Sequence, residues 1–220
     1  MTTPGDERQA QVVRPRLPIG IGIGASAGGP RALLALLAEL AIPPAVYVFL
    51  VQHIHHKFTG LLERRLRDAA PLPVRMAVDA AVAEPGCLYV APGGRHLIVE
   101  REWPATFRTR LKDDAVQHGV RPSIDALFDS LARAFGARAI GVVLTGMGRD
   151  GLAGARVIKD HGGTVLAEAE SSCLIYGMPR VLAEAEVADR LVPLPEMARA
   201  IQGAVAAAAV LPARAAARQR

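Results

Sequence analysis

Only two cysteines, Cys87 and Cys173, occur in 220 residues, far apart and outside any Cys-x-x-Cys spacing. That excludes a disulfide framework and a cysteine zinc site, and leaves both thiols as small apolar residues. Aromatic residues make up 4% of the chain and never interleave with a basic stripe, so the stacking platforms of nucleic-acid binders have no counterpart here. The formal charge of +5 does not reverse that reading, because much of its excess sits in Arg8, Arg14 and Arg16 at one end and Arg214, Arg218 and Arg220 at the other. These read as solvated tails. A membrane-spanning run is lacking as well: the most apolar window, residues 32–51, is broken by Glu39 and Pro43-Pro44 and reads as helix, turn and strand. The N-terminal MTTPGDERQAQVVRPR lacks the basic-then-apolar order of a secretory signal, and the expected compartment is the cytoplasm.

What is present, 51% apolar and 21% charged, is ordinary for one globular α/β domain with a sizeable core. The expected organisation is a disordered leader over residues 1–17, a single domain over 18–205 and an Ala/Arg-rich tail over 206–220. The domain is organised around PIGIGIGASAGGPRALLALL at 18–37: an apolar run (Ile19, Ile21, Ile23), a break at Gly24-Ala25-Ser26-Ala27-Gly28-Gly29, and a Leu/Ala-rich helix restarting at Pro30. This is strand, tight turn and helix, with proline where a helix's first N–H has no partner in any case.

Two motifs overlap in the turn. Gly24-Ala25-Ser26-Ala27-Gly28 fits Gly-x-Ser-x-Gly, which lifts a serine hydroxyl above a strand end beside a helix N-terminus. Gly22-Ile23-Gly24-Ala25-Ser26-Ala27 equally fits Gly-x-Gly-x-x-Ala, a dinucleotide fingerprint; a purely structural turn is the third reading. The dinucleotide reading wants an acidic residue at the end of the next strand, whereas AVYVFLV at 45–51 ends in Gln52-His53. A histidine there is what a serine nucleophile needs. His55 and His56 follow, but the His53, His55, His56 run has neither helical ligand spacing nor a local carboxylate, and no metal or cofactor is expected.

A helix is expected over 124–135, capped by Ser123, and a second uninterrupted apolar strand, AIGVVL at 139–144, runs into Thr145-Gly146-Met147-Gly148-Arg149-Asp150-Gly151. Asp150, like Ser26 and His53, then lies just beyond the carboxyl end of a buried strand, where open parallel sheets bind ligands. Its competing role is to cap the helix that starts after it. Between these parts lies a short strand near 74–78, and a strand at 87–91 with a hairpin of 96–100 and 106–111 looks antiparallel, with His96 in a structural role and His118 and His161 carrying no signal. A strand at 164–167 and helices to about 186 and over 194–205 complete the chain. The expected fold is α/β, a doubly wound, mostly parallel open sheet with helices on both faces and a small antiparallel hairpin at the edge.

Serine at a helix N-terminus, histidine and aspartate at one sheet end are the parts of an acyl-transfer site. The chain order Ser, His, Asp departs from the Ser, acid, His order of α/β-hydrolases. With IGIGASAGGP, VQHI, YVAPGGRHL, RPSIDALF, LTGMGRDG and SSCLIYGMPR in this order, the chain resembles the CheB-type catalytic domain of chemotaxis protein-glutamate methylesterases, from about Pro18 to Met197. The resemblance implies Ser26 as nucleophile, His53 as base and Asp150 as acid. It implicates Met147 in oxyanion binding, with Ala27 and Gly146 beside it, and leaves Gly24, Gly28 and Gly29 as supports of the turn. The implied activity is hydrolysis of glutamyl methyl esters on chemoreceptor cytoplasmic helices, often with deamidation of glutamines, in chemosensory adaptation. The implied protein partner is the methyl-accepting chemoreceptor. Family members in chemotaxis commonly carry an N-terminal receiver domain, and with 17 residues before the core the expectation is no phosphorylation control in cis, leaving control by a separate regulatory protein open. Departures at Ala27, His55-His56-Lys57 and Glu168-Ala169 bear on substrate fit more than on the triad. A catalytically idle binding module of the same fold is the competing expectation.

Overall fold

The computed structural model describes residues 17–102 and 106–212. Its core is a seven-stranded sheet of β1 (Ile19–Ala25), β2 (Val46–Gln52), β3 (Val74–Met76), β4 (Leu88–Val90), β7 (Ala139–Val143), β8 (Thr164–Glu168) and β9 (Arg190–Val192), in the order β3-β4-β2-β1-β7-β8-β9. Every pairing in it is parallel. The central strands are covered on both sides, which is why β1, β2 and β7 read as apolar runs without alternation.

On one face α1 (Gly29–Glu39), α2 (His56–Ala69) and α6 (Leu194–Ala209) enclose a core with Ile19, Ile21 and Ile23 of β1. On the other lie α3 (Ile124–Phe135), α4 (Leu152–Asp160) and α5 (Met178–Glu184), with the hairpin of β5 (His96–Glu102) and β6 (Thr106–Lys112). The glycines of β1 make the second face possible. Gly20, Gly22 and Gly24 alternate with the isoleucines, and a Cβ on them would come within 2.3 Å of Phe135, 3.0 Å of Phe128 and 2.6 Å of Ile124 respectively. The side-chain period of two thus gives β1 one bulky face and one bare lane on which α3 lies. Gly22 and Gly24, which suggested a dinucleotide fingerprint, have this packing duty.

The doubly wound α/β architecture expected from the sequence is the one observed. The hairpin forms too, but as a separate two-stranded sheet and not at the edge of the main one. The reason is aromatic: Tyr47 and Phe49 of β2 and Tyr89 of β4 need cover on the α3 side, and Phe107 of β6 supplies it, 4.8 Å from the Tyr47 ring and 4.3 Å from Phe135. Strand β4, expected in an antiparallel part, is a parallel member of the main sheet, with β3 parallel beside it. The final helix runs to Ala209, past the boundary expected at 205. Of the leader expected over 1–17 and the tail expected over 206–220, residues 1–16 and 213–220 lie outside the described residues. Among the described residues no helix is long and apolar enough to cross a membrane.

Candidate active site

Strands leaving β1 on either side, β2 first and β7 later, create the crevice at which this class of sheet binds ligands. Register then decides what meets there. Ala25 pairs with Gln52 and Gly24 with Val143, so the three strands end nearly flush and their next residues are Ser26, His53 and the loop from Leu144 to Gly151. Backbone bonds hold these ends together: His53 N–H donates to Ala25 O at 3.0 Å, Leu144 N–H to Gly24 O at 2.8 Å, and Ser26 N–H to Thr145 O at 3.0 Å.

The Ser26 turn is fastened from several directions. Its carbonyl accepts from Gly29 N–H at 2.8 Å and from Gln52 Nε2 at 2.8 Å, and Gln52 Nε2 also donates to His53 O at 3.0 Å. Gln52 therefore ties the serine to the histidine, a function its residue type did not announce. Thr145 does the same across the crevice, donating its hydroxyl proton to Ala27 O at 3.0 Å while Ile175 N–H donates to its Oγ1 at 2.9 Å. The fully buried Glu168 accepts from Thr145 N–H at 2.8 Å and from Ser172 Oγ at 3.0 Å, anchoring the same loop. The supporting glycines each have a steric reason. Gly28 has φ +82° and lies under Leu174, and a Cβ on Gly29 would reach 2.0 Å from Gln52 Oε1.

Asp150 is 2% exposed and uses both carboxylate oxygens. Oδ2 accepts from His53 Nε2 at 2.8 Å and from Ile124 N–H at 2.7 Å. Oδ1 accepts from Ser123 Oγ at 2.8 Å and Asp125 N–H at 3.0 Å. The alternative reading of Asp150 as cap of the helix that follows it is thus corrected: α4 begins after Gly151 with no side-chain cap of its own N-cap residue, and Asp150 caps α3 instead. Burial pushes the Asp150 carboxyl up, but the bonds from His53, Ile124, Asp125 and Ser123 outweigh it and hold the group below its ordinary value. With Nε2 committed to Asp150, the imidazole of His53, its side chain 9% exposed, keeps Nδ1 as the nitrogen able to take a proton.

Gly146 borders the serine directly, since a Cβ there would lie 2.6 Å from Ser26 Cβ. Its N–H is taken by Ile175 O at 3.0 Å, so of the expected oxyanion group it offers closeness and not a donor. Among the described residues, neither Ala27 nor Met147 has its N–H on an intramolecular acceptor. Met147 is 78% exposed and Leu174 72%. A cavity of about 370 Å³ lined by Gly28, Arg31, Thr145, Glu168 and Leu174 opens beside the turn. A larger cleft of about 750 Å³, between the hairpin and helices α3 and α4, includes neither Ser26 nor His53 in its lining.

His96 has the structural role expected of it: Nδ1 accepts from Ser123 N–H at 3.1 Å and Nε2 meets Ala115 O at 3.1 Å, steadying the loop that holds Asp150. His118, which carried no sequence signal, lies with Nε2 3.0 Å from Asp125 Oδ2. His118, Asp125 and Asp150 are the one group of potential metal ligands gathered among the described residues. Both carboxylates there are ringed by backbone N–H donors, a setting that attracts negative charge and opposes a cation. The run His53, His55, His56 is not gathered; His55 caps α2 by accepting from Lys57 N–H.

The family model for the CheB methylesterase matches residues 21–201. A protein-glutamate methylesterase/protein-glutamine glutaminase of Moorella thermoacetica is 42% identical over 195 residues, 89% of this chain and 46% of its own length. Its counterpart numbered 5 in Myxococcus xanthus is 44% identical over 188 residues, 86% of this chain and 54% of its own length. The chain thus spans about half the length of these curated relatives. The crystal structure of the Thermotoga maritima CheB methylesterase catalytic domain superposes with a TM-score of 0.81 at 34% identity, covering 84% of this chain and 98% of that one.

Proposed function

The chain belongs to the CheB methylesterase family, and from that premise we propose that it is a serine hydrolase. Its substrates are glutamyl methyl esters on the cytoplasmic helices of methyl-accepting chemoreceptors, and it also deamidates glutamines there. The observation that carries this reading is the His53 Nε2 to Asp150 Oδ2 contact of 2.8 Å at the mouth of the Ser26 turn, formed by residues 97 apart in the chain. The family's name on about twice this length of chain supports the substrate class. The setting of this chemistry is the cytoplasm, in chemosensory adaptation.

The chemistry proceeds by proton transfers among this chain's own groups and water. Ser26 Oγ attacks the ester carbonyl carbon as its proton passes to His53 Nδ1, and the ionised Asp150 stabilises the imidazolium through Nε2–H. The N–H groups of Ala27 and Met147, left without internal acceptors, receive the developing oxyanion. Collapse breaks the C–O bond to the methoxy group, His53 returns its proton to that oxygen, and methanol departs from an acyl-enzyme on Ser26. Water, deprotonated by His53, then attacks the acyl carbon; Ser26 leaves with the proton and a glutamate carboxylate is released. With glutamine the leaving group is ammonia and the second half is identical. Domain limits follow the same reading, with the catalytic unit expected over 18–205 carried to the end of α6 at Ala209.

Reaction with a fluorophosphonate tests the site independently of substrate supply. An activated Ser26 is labelled covalently, and labelling disappears in Ser26→Ala and falls sharply in His53→Gln. A folded protein that takes no label at Ser26 would overturn the reading and favour a catalytically idle binding module.

A further inference from the structure

The acid loop is held by a residue that the reaction itself does not touch. Asp125 is the second residue of α3 and is 7% exposed. Its Oδ1 accepts from Gly151 N–H at 2.9 Å and Gly154 N–H at 2.7 Å, two N-terminal amides of α4 that lack helical partners. Asp150, two residues before α4, in turn accepts from Ile124 N–H and Asp125 N–H, the first amides of α3. Each helix therefore presents the carboxylate that caps the other. The exchange is closed on two further sides: Ser123 Oγ reaches Asp150 Oδ1 at 2.8 Å, and His118 Nε2 reaches Asp125 Oδ2 at 3.0 Å from the surface loop. Steric contact reinforces it, because Ile124 packs where a Cβ on Gly24 would sit and lies 3.1 Å from the Cβ position of Gly151.

The price of this arrangement is two carboxylates side by side. Burial pushes the Asp125 carboxyl up and the neighbouring Asp150 charge adds to it, against the pull of Gly154 N–H and His118. Capping α4 alone would not call for that, since an uncharged serine, threonine or asparagine serves as well at a helix N-terminus. What the acidic pair does provide is a rigid link between Asp150's backbone and the helix that grips its side chain. Movement of residue 151 away from α3 would carry Asp150 from its place beside His53, and Asp125 holds residue 151 to α3.

We propose that Asp125 is the positioning residue of the catalytic acid: by holding the amides of Gly151 and Gly154 it fixes Asp150 so that Oδ2 meets His53 Nε2. This rests on the triad reading above, and its test is chosen to be separable from it. The readout is proton NMR of the full chain isotope-labelled at histidine, following the His53 Nε2–H that is donated to Asp150 and assigned by its loss in His53→Gln. Asp125→Asn keeps an oxygen for both amides, so the signal persists along with most of the native kcat. Asp125→Ala removes the acceptor; the signal is lost while cooperative unfolding remains, and kcat falls by about 10²-fold at unchanged KM, as a misaimed acid requires. If the alanine protein does not fold, Asp125→Ser, which is too short to reach both amides and leaves room for water, takes its place with the same expectation. An Asp125→Ala or Asp125→Ser protein that retains the signal overturns the proposal, and so does a folded Asp125→Asn protein that loses it. Should the native protein hydrolyse no ester, the functional reading falls, while the NMR comparison still decides whether Asp125 aims Asp150.

Discussion

A single methyl group added at Gly146 tests how closely the Thr145–Gly148 loop lines the nucleophile. In Gly146→Ala the new Cβ would stand 2.6 Å from Ser26 Cβ, 2.8 Å from Met178 Cε and 2.9 Å from Met178 Sδ. Apolar carbons pack at about 3.5–4.0 Å, so roughly 1 Å of overlap has to be relieved. Met178 can rotate its flexible end away. Ser26 cannot, because its N–H is bound to Thr145 O and its carbonyl to both Gly29 N–H and Gln52 Nε2. The relief therefore comes partly from displacing the serine or opening the loop that carries Met147. A displacement approaching 1 Å costs on the order of 10²-fold in rate. Overpacking of this kind costs about 1–3 kcal/mol of stability, a drop of some degrees in Tm for a chain of this length. The assay is the second-order rate of fluorophosphonate labelling of Ser26, measured beside thermal unfolding. A folded Gly146→Ala protein labelled at the native rate would refute the placement of this loop against the nucleophile.

Gly20→Ala is the matching control: its Cβ would come within 2.3 Å of the Phe135 ring at the far end of β1, so Tm falls while the labelling rate stays native. Asp150→Asn leaves the fold intact and lowers ester turnover by about 10⁴-fold, since the amide no longer fixes the tautomer and charge of His53; turnover within tenfold of native would contradict the role given to the acid. The same carboxyl sets a pH signature. Because its folded-state value is depressed, its stabilisation is complete above about pH 4 and is lost as pH falls through the folded-state value, so acid unfolding of Asp150→Asn lacks this component. Cys173, pushed up to about 12 by burial and then by the Glu168 charge, should react with iodoacetamide at pH 8 about 10³-fold more slowly than a free thiol. Rapid alkylation of the folded protein would show that the Glu168 pocket is open.

Much of the candidate site is legible because Ser26, His53 and Asp150 follow strands that nothing else in the chain resembles. Runs such as VYVFLVQ and AIGVV mark strands buried on both faces, and the residue after such a strand falls on the ligand-binding edge by topology alone. What the linear pattern could not carry were choices between partners far apart in sequence. A carboxylate before a helix is expected to cap that helix; only the approach of α3 to α4 reveals that Asp150 and Asp125 exchange caps over a separation of 25 residues. The place of the hairpin depends on the aromatic patch on β2 and β4 that it covers, which is visible only once those strands pair. Strand β9 carries no periodic signal, because Arg190 and Leu191 are exposed and Val192 alone is buried. Gln52 and Thr145 have ordinary residue types whose bonds to the Ser26 turn span 26 and 118 residues. Gly22 and Gly24 fit a dinucleotide fingerprint in the linear pattern because a bare lane for a helix and a phosphate-binding turn share a spelling.

The central claim, a Ser26-dependent esterase acting on chemoreceptor glutamyl esters, is tested most directly by methanol release. Methylated chemoreceptor membranes are incubated with the purified protein and, in parallel, with its Ser26→Ala form. The account predicts release by the first and a loss of about 10⁴–10⁶-fold in the second. Equal release by both proteins, or none by a native protein whose Ser26 takes no fluorophosphonate, would contradict it.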